Sequence, residues 1–353
     1  MSRGKPPGWE RSKSGEQRRP ISSGRPVAHD QRLPGLPGHT RSRHPISIAD
    51  LLKDGPKSAH ELAEATSTHA PTLYRLLRAL ASVGVFAEES DGRFGMTPLA
   101  EYLRTDAPGS VRAWAVQIGQ PYHWSAWAHL LDSVKTGKPA FPELHGTSVW
   151  EYRAARPEEN TIFDTAMTGL SAMVAEAVVH SYDFSRFGVI ADVGGGVGAL
   201  LAAILKANPS LRGILFDQSH VVAHARPWLE GAGVADRCEV VGGSFFEVVP
   251  EGADAYLLKS IIHDWDDAEA IEILRRCRAA MADTGRLLVV EPVIRSGNDP
   301  DPAKYMDLNM LVMLGGRERT AEEFHRLLAE AGFRLGGIIA TGSSHNIIEG
   351  VPV

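Results

Sequence analysis

The stretch Val189–Leu201, VIADVGGGVGALL, decides the fold. A short apolar run closes on Asp192, a glycine cluster follows, and an apolar pattern of helical period begins at once. That order reads as strand, tight turn and helix. Gly194 permits the turn, Gly196 lets the backbone approach a ligand, and Gly198 or Ala199 lets the helix pack close to the strand. N–H groups left free where such a turn enters a helix suit a polar or anionic ligand. Gly194, Gly196 and Ala199 also fit a dinucleotide fingerprint, which alone discriminates little, and a turn that binds no cofactor uses the same glycines. Two carboxylates shift the reading. Asp192, at the strand's end, repels a pyrophosphate and attracts a cationic amino acid such as S-adenosylmethionine. Asp217, closing the next apolar run GILFD, is placed to hold ribose hydroxyls.

Working outward, residues 183–353 alternate apolar runs with helical patterns: VIADV, GILFD, CEVVGG, AYLLKS and RLLVVEPV. Such alternation predicts a Rossmann-like α/β domain with a doubly wound, mostly parallel sheet. Ligands bind at the carboxyl ends of its strands. Asp192, Asp217, Ser244, Phe245, Lys259 to His263 and Glu291 all fall at such ends.

Residues 110–182 read as helical and rich in aromatics: Trp114, Tyr122, Trp124, Trp127, Phe141, Trp150 and Phe163, with Met167 and Met173. They serve a helical core, a pocket wall for a flat aromatic ligand, or both. Residues 46–109 read as a winged-helix-like domain. Its first helix runs Ile48 to Leu52 and stops at Gly55-Pro56. The second, Ser58 to Ala65, opens with a Ser58/Glu61 capping box. The third starts near Ala70 and sets Leu73, Leu76, Leu77, Leu80 and Val83 on one face. VFAEE and RFGMT then flank an Asp91-Gly92 turn as the wing. Arg75 and Arg78 on the third helix would face DNA in a regulator, but Glu88 and Glu89 oppose that use. Residues 1–45, rich in Arg, Lys, Pro, Gly and Ser, bury too little to offset their ordering entropy and read as a disordered basic tail.

The chain has 353 residues and a net charge of −6, which argues against nucleic acid as a partner. No apolar run approaches a membrane span. Cys238 and Cys277 read as reduced thiols of a cytoplasmic protein. The 14 histidines show no metal-ligand spacing, so no metal is expected.

The segment LKSIIHDWDD, Leu258 to Asp267, is the most informative. With DVGGGVG, GGSFF, VVEPV and GGRERT, in that family's order, it resembles the class I S-adenosylmethionine-dependent O-methyltransferases. The nearest group is typified by plant caffeic acid and flavonoid enzymes, with a bacterial branch acting on aromatic secondary metabolites, including antibiotics. The likeness runs from about Ile48 to the C-terminus. It implies a homodimer formed through the N-terminal domain, S-adenosylmethionine as cofactor and S-adenosylhomocysteine as product. It implies His263 as general base, with Glu291 and Glu318 orienting its imidazole. Asp217 would hold the ribose, Gly194–Gly196 the methionine end, and Lys259 and Phe245 the adenine. Phe163, Met167, Asn309 and Met313 would line the acceptor pocket. Three departures stand out. Gln218-Ser219 replaces the usual Leu-Pro, and the Arg/Pro-rich tail replaces a long dimerisation helix. Ser244 replaces an aspartate that contacts adenine, which lowers the expected cofactor affinity.

Oxygen methylation asks for these residue types independently. A phenol, with a pKa of about 10, is a poor nucleophile at neutral pH. A sulfonium methyl is already activated, so proton removal in fixed geometry is the missing ingredient. Histidine supplies the base, and a carboxylate fixes its tautomer. Rival expectations are N-methylation, decarboxylation or hydroxylation on the same fold, and a winged-helix ligand sensor. A nicotinamide dehydrogenase is disfavoured by Asp192 and IIHDW.

Overall fold

Strand order places the ligand crevice before any side chain is considered. In the computed structural model, which describes residues 47–353, a small hairpin pairs β1 (Phe86–Glu88) with β2 (Phe94–Met96), antiparallel. The main sheet contains β3 (Val189–Val193), β4 (Arg212–Asp217), β5 (Cys238–Gly242), β6 (Ala255–Lys259), β7 (Arg286–Glu291), β8 (Phe333–Ala340) and β9 (Asn346–Pro352). Its order is β5-β4-β3-β6-β7-β9-β8. The chain winds one way from β3 to β5 and the other way from β6, so the switch point falls between β3 and β6. Asp192 on β3 and Lys259 on β6 flank it.

The five parallel strands match the runs read from the sequence. The sequence reading omitted β8 and β9, which are antiparallel to each other, while β9 also runs antiparallel to β7. Gly336 and Gly337 interrupt the apolar alternation of β8, and the register slips between Leu335 and Gly337. That interruption hides the strand from a period-two pattern.

Both faces of the central strands are buried, which is why they read as unbroken apolar runs. Leu257 joins Leu201, Ile204, Leu205 and Leu215 on one face. Its neighbours Tyr256 and Leu258 join Phe216, Ile273, Leu274 and Phe324 on the other. Each such side chain contributes about 1.5–3 kcal/mol by leaving water.

In the N-terminal part the three helices are Ile48–Leu52, Ala59–Thr66 and Ala70–Ser82, and the Ser58/Glu61 capping box is present. One expectation is corrected. Leu73 and Leu77 are buried, but Leu76 and Val83, expected on the same face, are 51% and 69% exposed. The core under this helix is small, built on Leu52, Leu62, Phe86 and Phe94, and buries Leu73 and Leu77 with Leu80 packed partly against it.

The helix Pro157–Ser181 corrects a second expectation. It is 25 residues long, and an 18-residue window within it has a mean hydropathy of 1.4, long and apolar enough by length and composition to cross a bilayer. Interspersed Thr, Ser, Gly and His disguise this in the sequence. In the fold it packs on the helices Arg112–Ile118 and Ala199–Ala207 and sinks Val174, Ala175 and Val178 into the core. Cys238 and Cys277 are both free.

Candidate active site

Glu291, at the carboxyl end of β7, is fully buried, and its Oε1 accepts the N–H groups of Ile261, Ile262 and His263 at 3.0, 3.0 and 3.3 Å. One carboxylate oxygen therefore folds the loop that follows β6. Ser260 enters that loop at φ 54°, a left-handed conformation rare for a residue with a side chain. The imidazole of His263 then reaches Glu318: Nδ1–H donates to Oε1 at 2.8 Å, with Glu291 Oε2 at 3.4 Å. The other nitrogen, Nε2, lies 3.5 Å from Asp264 Oδ1.

The segment carrying Glu318 comes this close because of Gly316. A Cβ there would overlap the His263 carbonyl and the Asp264 backbone. Next to Glu318, Arg319 is 1% exposed and fully engaged. It donates to the carbonyls of Ile262 and Trp265 at 2.9 and 3.0 Å and to Asp267 at 2.8 Å. The histidine loop is thus clamped from below by Glu291 and from the side by Arg319.

Burial alone would depress the imidazole's proton affinity, but Glu291, Glu318 and Asp264 outweigh it and push the pKa up to about 10. Burial raises the carboxyls of Glu291 and Asp264, Asp264 to about 6, with His263 opposing. The donor atoms of His263, Glu291 and Glu318 lie within 4.8 Å of one another, close enough for a metal. Two of these groups are already engaged, while Glu291 Oε2 and Glu318 Oε2 have no hydrogen-bond partner among the described residues. Nδ1 is used by Glu318, and Glu291 Oε1 by three amides, so the arrangement is a hydrogen-bonded relay.

The glycine turn lies beside this relay. At φ +74°, Gly194 sits where a side chain would run into Ile261. Gly196 N–H donates to Asp217 Oδ2 at 2.8 Å, and a Cβ on Gly196 would meet open space. Asp192 is 1% exposed, its Oδ2 has no hydrogen-bond partner, and burial pushes its pKa up to about 7 against the opposing charge of Lys259. An orphaned buried carboxylate oxygen next to an open glycine turn fits a cationic amino-acid ligand. A cavity of about 530 Å³ adjoins the turn through Val197 and is walled by Asp164, His220, His224 and Trp228. His263 is outside its wall.

The structure brings most of the expected residues together. Phe245 lies against Gly194 and packs edge-on to Phe246 and Trp265. Ser244 has a local use: its Oγ accepts Phe246 N–H at 3.3 Å, closing the turn after β5. Lys259 feels Glu291 and Asp192 from opposite sides of the switch point and donates to Ser260 Oγ at 3.4 Å, bridging the two sites. Phe163 meets Trp150 edge-on, Met167 is half-buried, and Asn309 accepts Trp127 Nε1–H at 3.0 Å. Met313 fits the expectation of a pocket wall least well. It is 2% exposed inside the cluster of Tyr122, Phe141 and Val149.

Three residues were missed. Asp264 faces the free nitrogen of His263. Arg319 clamps the loop. Arg153 is 5% exposed, its guanidinium 3.7 Å from the Phe163 ring centroid. A signal existed for it: Val149 and Arg153 stand four apart on one short helix, so a buried valine put the arginine on the buried face.

With this geometry in hand, residues 127–334 match the O-methyltransferase domain and residues 45–106 the O-methyltransferase dimerisation domain. The chain belongs to the O-methyltransferase family. It is 48% identical to a phenazine O-methyltransferase of Lysobacter antibioticus, over 87% of this chain and 90% of that one. It is 43% identical to a mitomycin biosynthesis 6-O-methyltransferase of Streptomyces lavendulae, over 82% and 83%. Among solved structures, a methyltransferase of calicheamicin biosynthesis with bound S-adenosylhomocysteine superposes with a TM-score of 0.78 at 38% identity, covering 87% of this chain and 91% of that one. The methyltransferase is an S-adenosylmethionine-dependent enzyme, and its fold is the expected Rossmann-like domain behind a helical N-terminal region.

Proposed function

We propose that this O-methyltransferase acts on a phenolic or enolic hydroxyl of a small aromatic secondary metabolite, with His263 as general base. The observation that carries the reading is the buried relay Glu291/Glu318–His263. It fixes Nδ1 as donor and leaves Nε2 as the nitrogen able to take a proton. S-adenosylmethionine, when bound, supplies an electrophilic methyl group. The chain's residues do the rest. Asp192 and the Gly194–Gly196 turn receive the amino-acid end, Asp217 the ribose, and Phe245 with Ser244 the adenine side. Phe163, Met167 and Asn309 flank the acceptor. Nε2 takes the hydroxyl proton, and the two glutamates stabilise the imidazolium.

The high proton affinity of His263 has a consequence. A phenol of pKa about 10 and an imidazolium near the same value exchange a proton at little cost. The free imidazole is then the minority form at neutral pH, so turnover should rise into the alkaline range. A homodimer is proposed as well, supported by the dimerisation-domain match and by Leu76, Val83, Leu99 and Tyr102, all at least half-exposed on that part. We place the enzyme in the cytoplasm.

The test is incubation with S-adenosylmethionine and a panel of phenolic acceptors, followed by mass spectrometry of the products. The reading expects methyl ethers. Methylamines, or hydroxylated or decarboxylated products, would move the chain to the rival chemistries.

A further inference from the structure

Arg153 is a buried cation that its surroundings leave unpaired. Its side chain is enclosed by Phe163, Trp150 and Tyr122, with ring centroids 3.7, 5.5 and 5.8 Å away. Of the five N–H donors on a guanidinium, only Nε has a protein partner among the described residues, a long 3.4 Å bond to Tyr122 Oη. That hydroxyl is already engaged with Gln117 at 2.8 Å. The nearest carboxylates, Asp264 and Asp164, act on Arg153 through space, and neither forms an ion pair with it. Its neighbours are the acceptor-side residues: Phe163 under the guanidinium, and Asp264 next to His263 Nε2.

A buried guanidinium held by ring faces and one long hydrogen bond carries a desolvation cost without recovering it. Its planar fork matches a carboxylate with two parallel bonds. We propose that Arg153 is the anchor for an acidic substituent, so that the acceptor is an aromatic hydroxy acid. Its ring lies along Phe163, its carboxylate takes the Nη groups of Arg153, and its hydroxyl faces His263. This rests on the methyltransfer reading and names the acceptor class for it. Arg153 is then a specificity residue. It binds the substrate's charge and takes no part in the proton transfer.

The test pairs acids with neutral analogues: hydroxynaphthoate with naphthol, and salicylate with phenol. Each is measured both for methylation and for equilibrium binding to the S-adenosylhomocysteine-loaded protein, in wild type, Arg153→Met and Arg153→Lys. The wild type should favour the acid of a pair, in kcat/KM and in affinity. Arg153→Met should collapse the acid-to-neutral ratio by about 30-fold, the scale of a charge-assisted pair, and Arg153→Lys should restore part of it. An unchanged melting temperature in Arg153→Met excludes misfolding as the cause. Equal treatment of acid and neutral acceptors by the wild type, or a ratio that survives Arg153→Met, would overturn the anchor. Neutral phenols methylated without preference would leave the methyltransferase reading standing. Acids bound through Arg153 but never methylated would leave the anchor standing and defeat that reading instead.

Discussion

Among the described residues two arginines are buried, Arg319 against the loop that carries His263 and Arg153 among Phe163, Trp150 and Tyr122. Arg319 is 1% exposed and Arg153 is 5% exposed, so their solvation costs are alike. Their partners differ. Arg319 donates to two loop carbonyls and to Asp267, whose side chain remains open to water. Arg153 has aromatic faces and one long hydrogen bond to Tyr122. A buried charge whose donors are met by its own chain is part of the scaffold. One whose donors are unmet is waiting for something from outside. The first region holds His263 still, and the second faces what His263 acts on.

The largest effect should come from His263 itself. His263→Ala removes the base while leaving both arginines, and kcat should fall by about 10²–10⁴-fold with cofactor affinity nearly unchanged. Single-turnover rates and calorimetry with S-adenosylhomocysteine separate the two. Full activity in that variant would mean that the acceptor reacts by proximity alone.

The arginines themselves should respond with opposite signs. Arg319→Met strands the carbonyls of Ile262 and Trp265, and urea unfolding should report a loss of about 2–4 kcal/mol. Arg153→Met replaces an unpaired buried charge with an apolar chain of similar length, so stability should hold or increase by about 1 kcal/mol. Equal destabilisation by both would erase the distinction between clamp and anchor. The effect on cofactor binding should be modest. Asp217→Ala should weaken S-adenosylhomocysteine binding by about tenfold. Two N–H groups, of Gly196 and Gln218, already pin that carboxylate, so the turn itself loosens in the variant.

The two regions also differ in how far the sequence reveals them. The relay was legible because its members sit in dense local patterns: His263 in IIHDW after an apolar run, Glu291 at the end of RLLVVE, Glu318 in a Gly-rich turn. Strand ends converge by topology, so placing strands placed His263 and Glu291, while Glu318 and the three roles came from the resemblance to the family's motifs. Gly194 and Asp192 were legible for the same reason. Arg153 belongs to a six-residue helix whose one local signal, its four-residue spacing from Val149, marks a shared face but not how the aromatic layer closes over it. Its aromatic neighbours were visible, but their convergence around a charge was not. Strand β8 was hidden by its paired glycines, and the exposed Leu76 by a core too small to use the whole apolar face of its helix.

The most direct test of the His263 assignment is the pH dependence of kcat/KM, in the wild type and in Glu318→Gln. A base with its pKa raised toward about 10 is active only when deprotonated. The wild-type rate should therefore climb with pH through the neutral and mildly alkaline range. Glu318→Gln keeps a hydrogen-bond acceptor beside Nδ1 but removes one of the charges that raise the pKa, so the rising limb should move to lower pH. A rising limb that shifts in this direction supports the relay as the source of base strength. A flat profile, or a limb unmoved by the substitution, would contradict it and place the proton acceptor elsewhere.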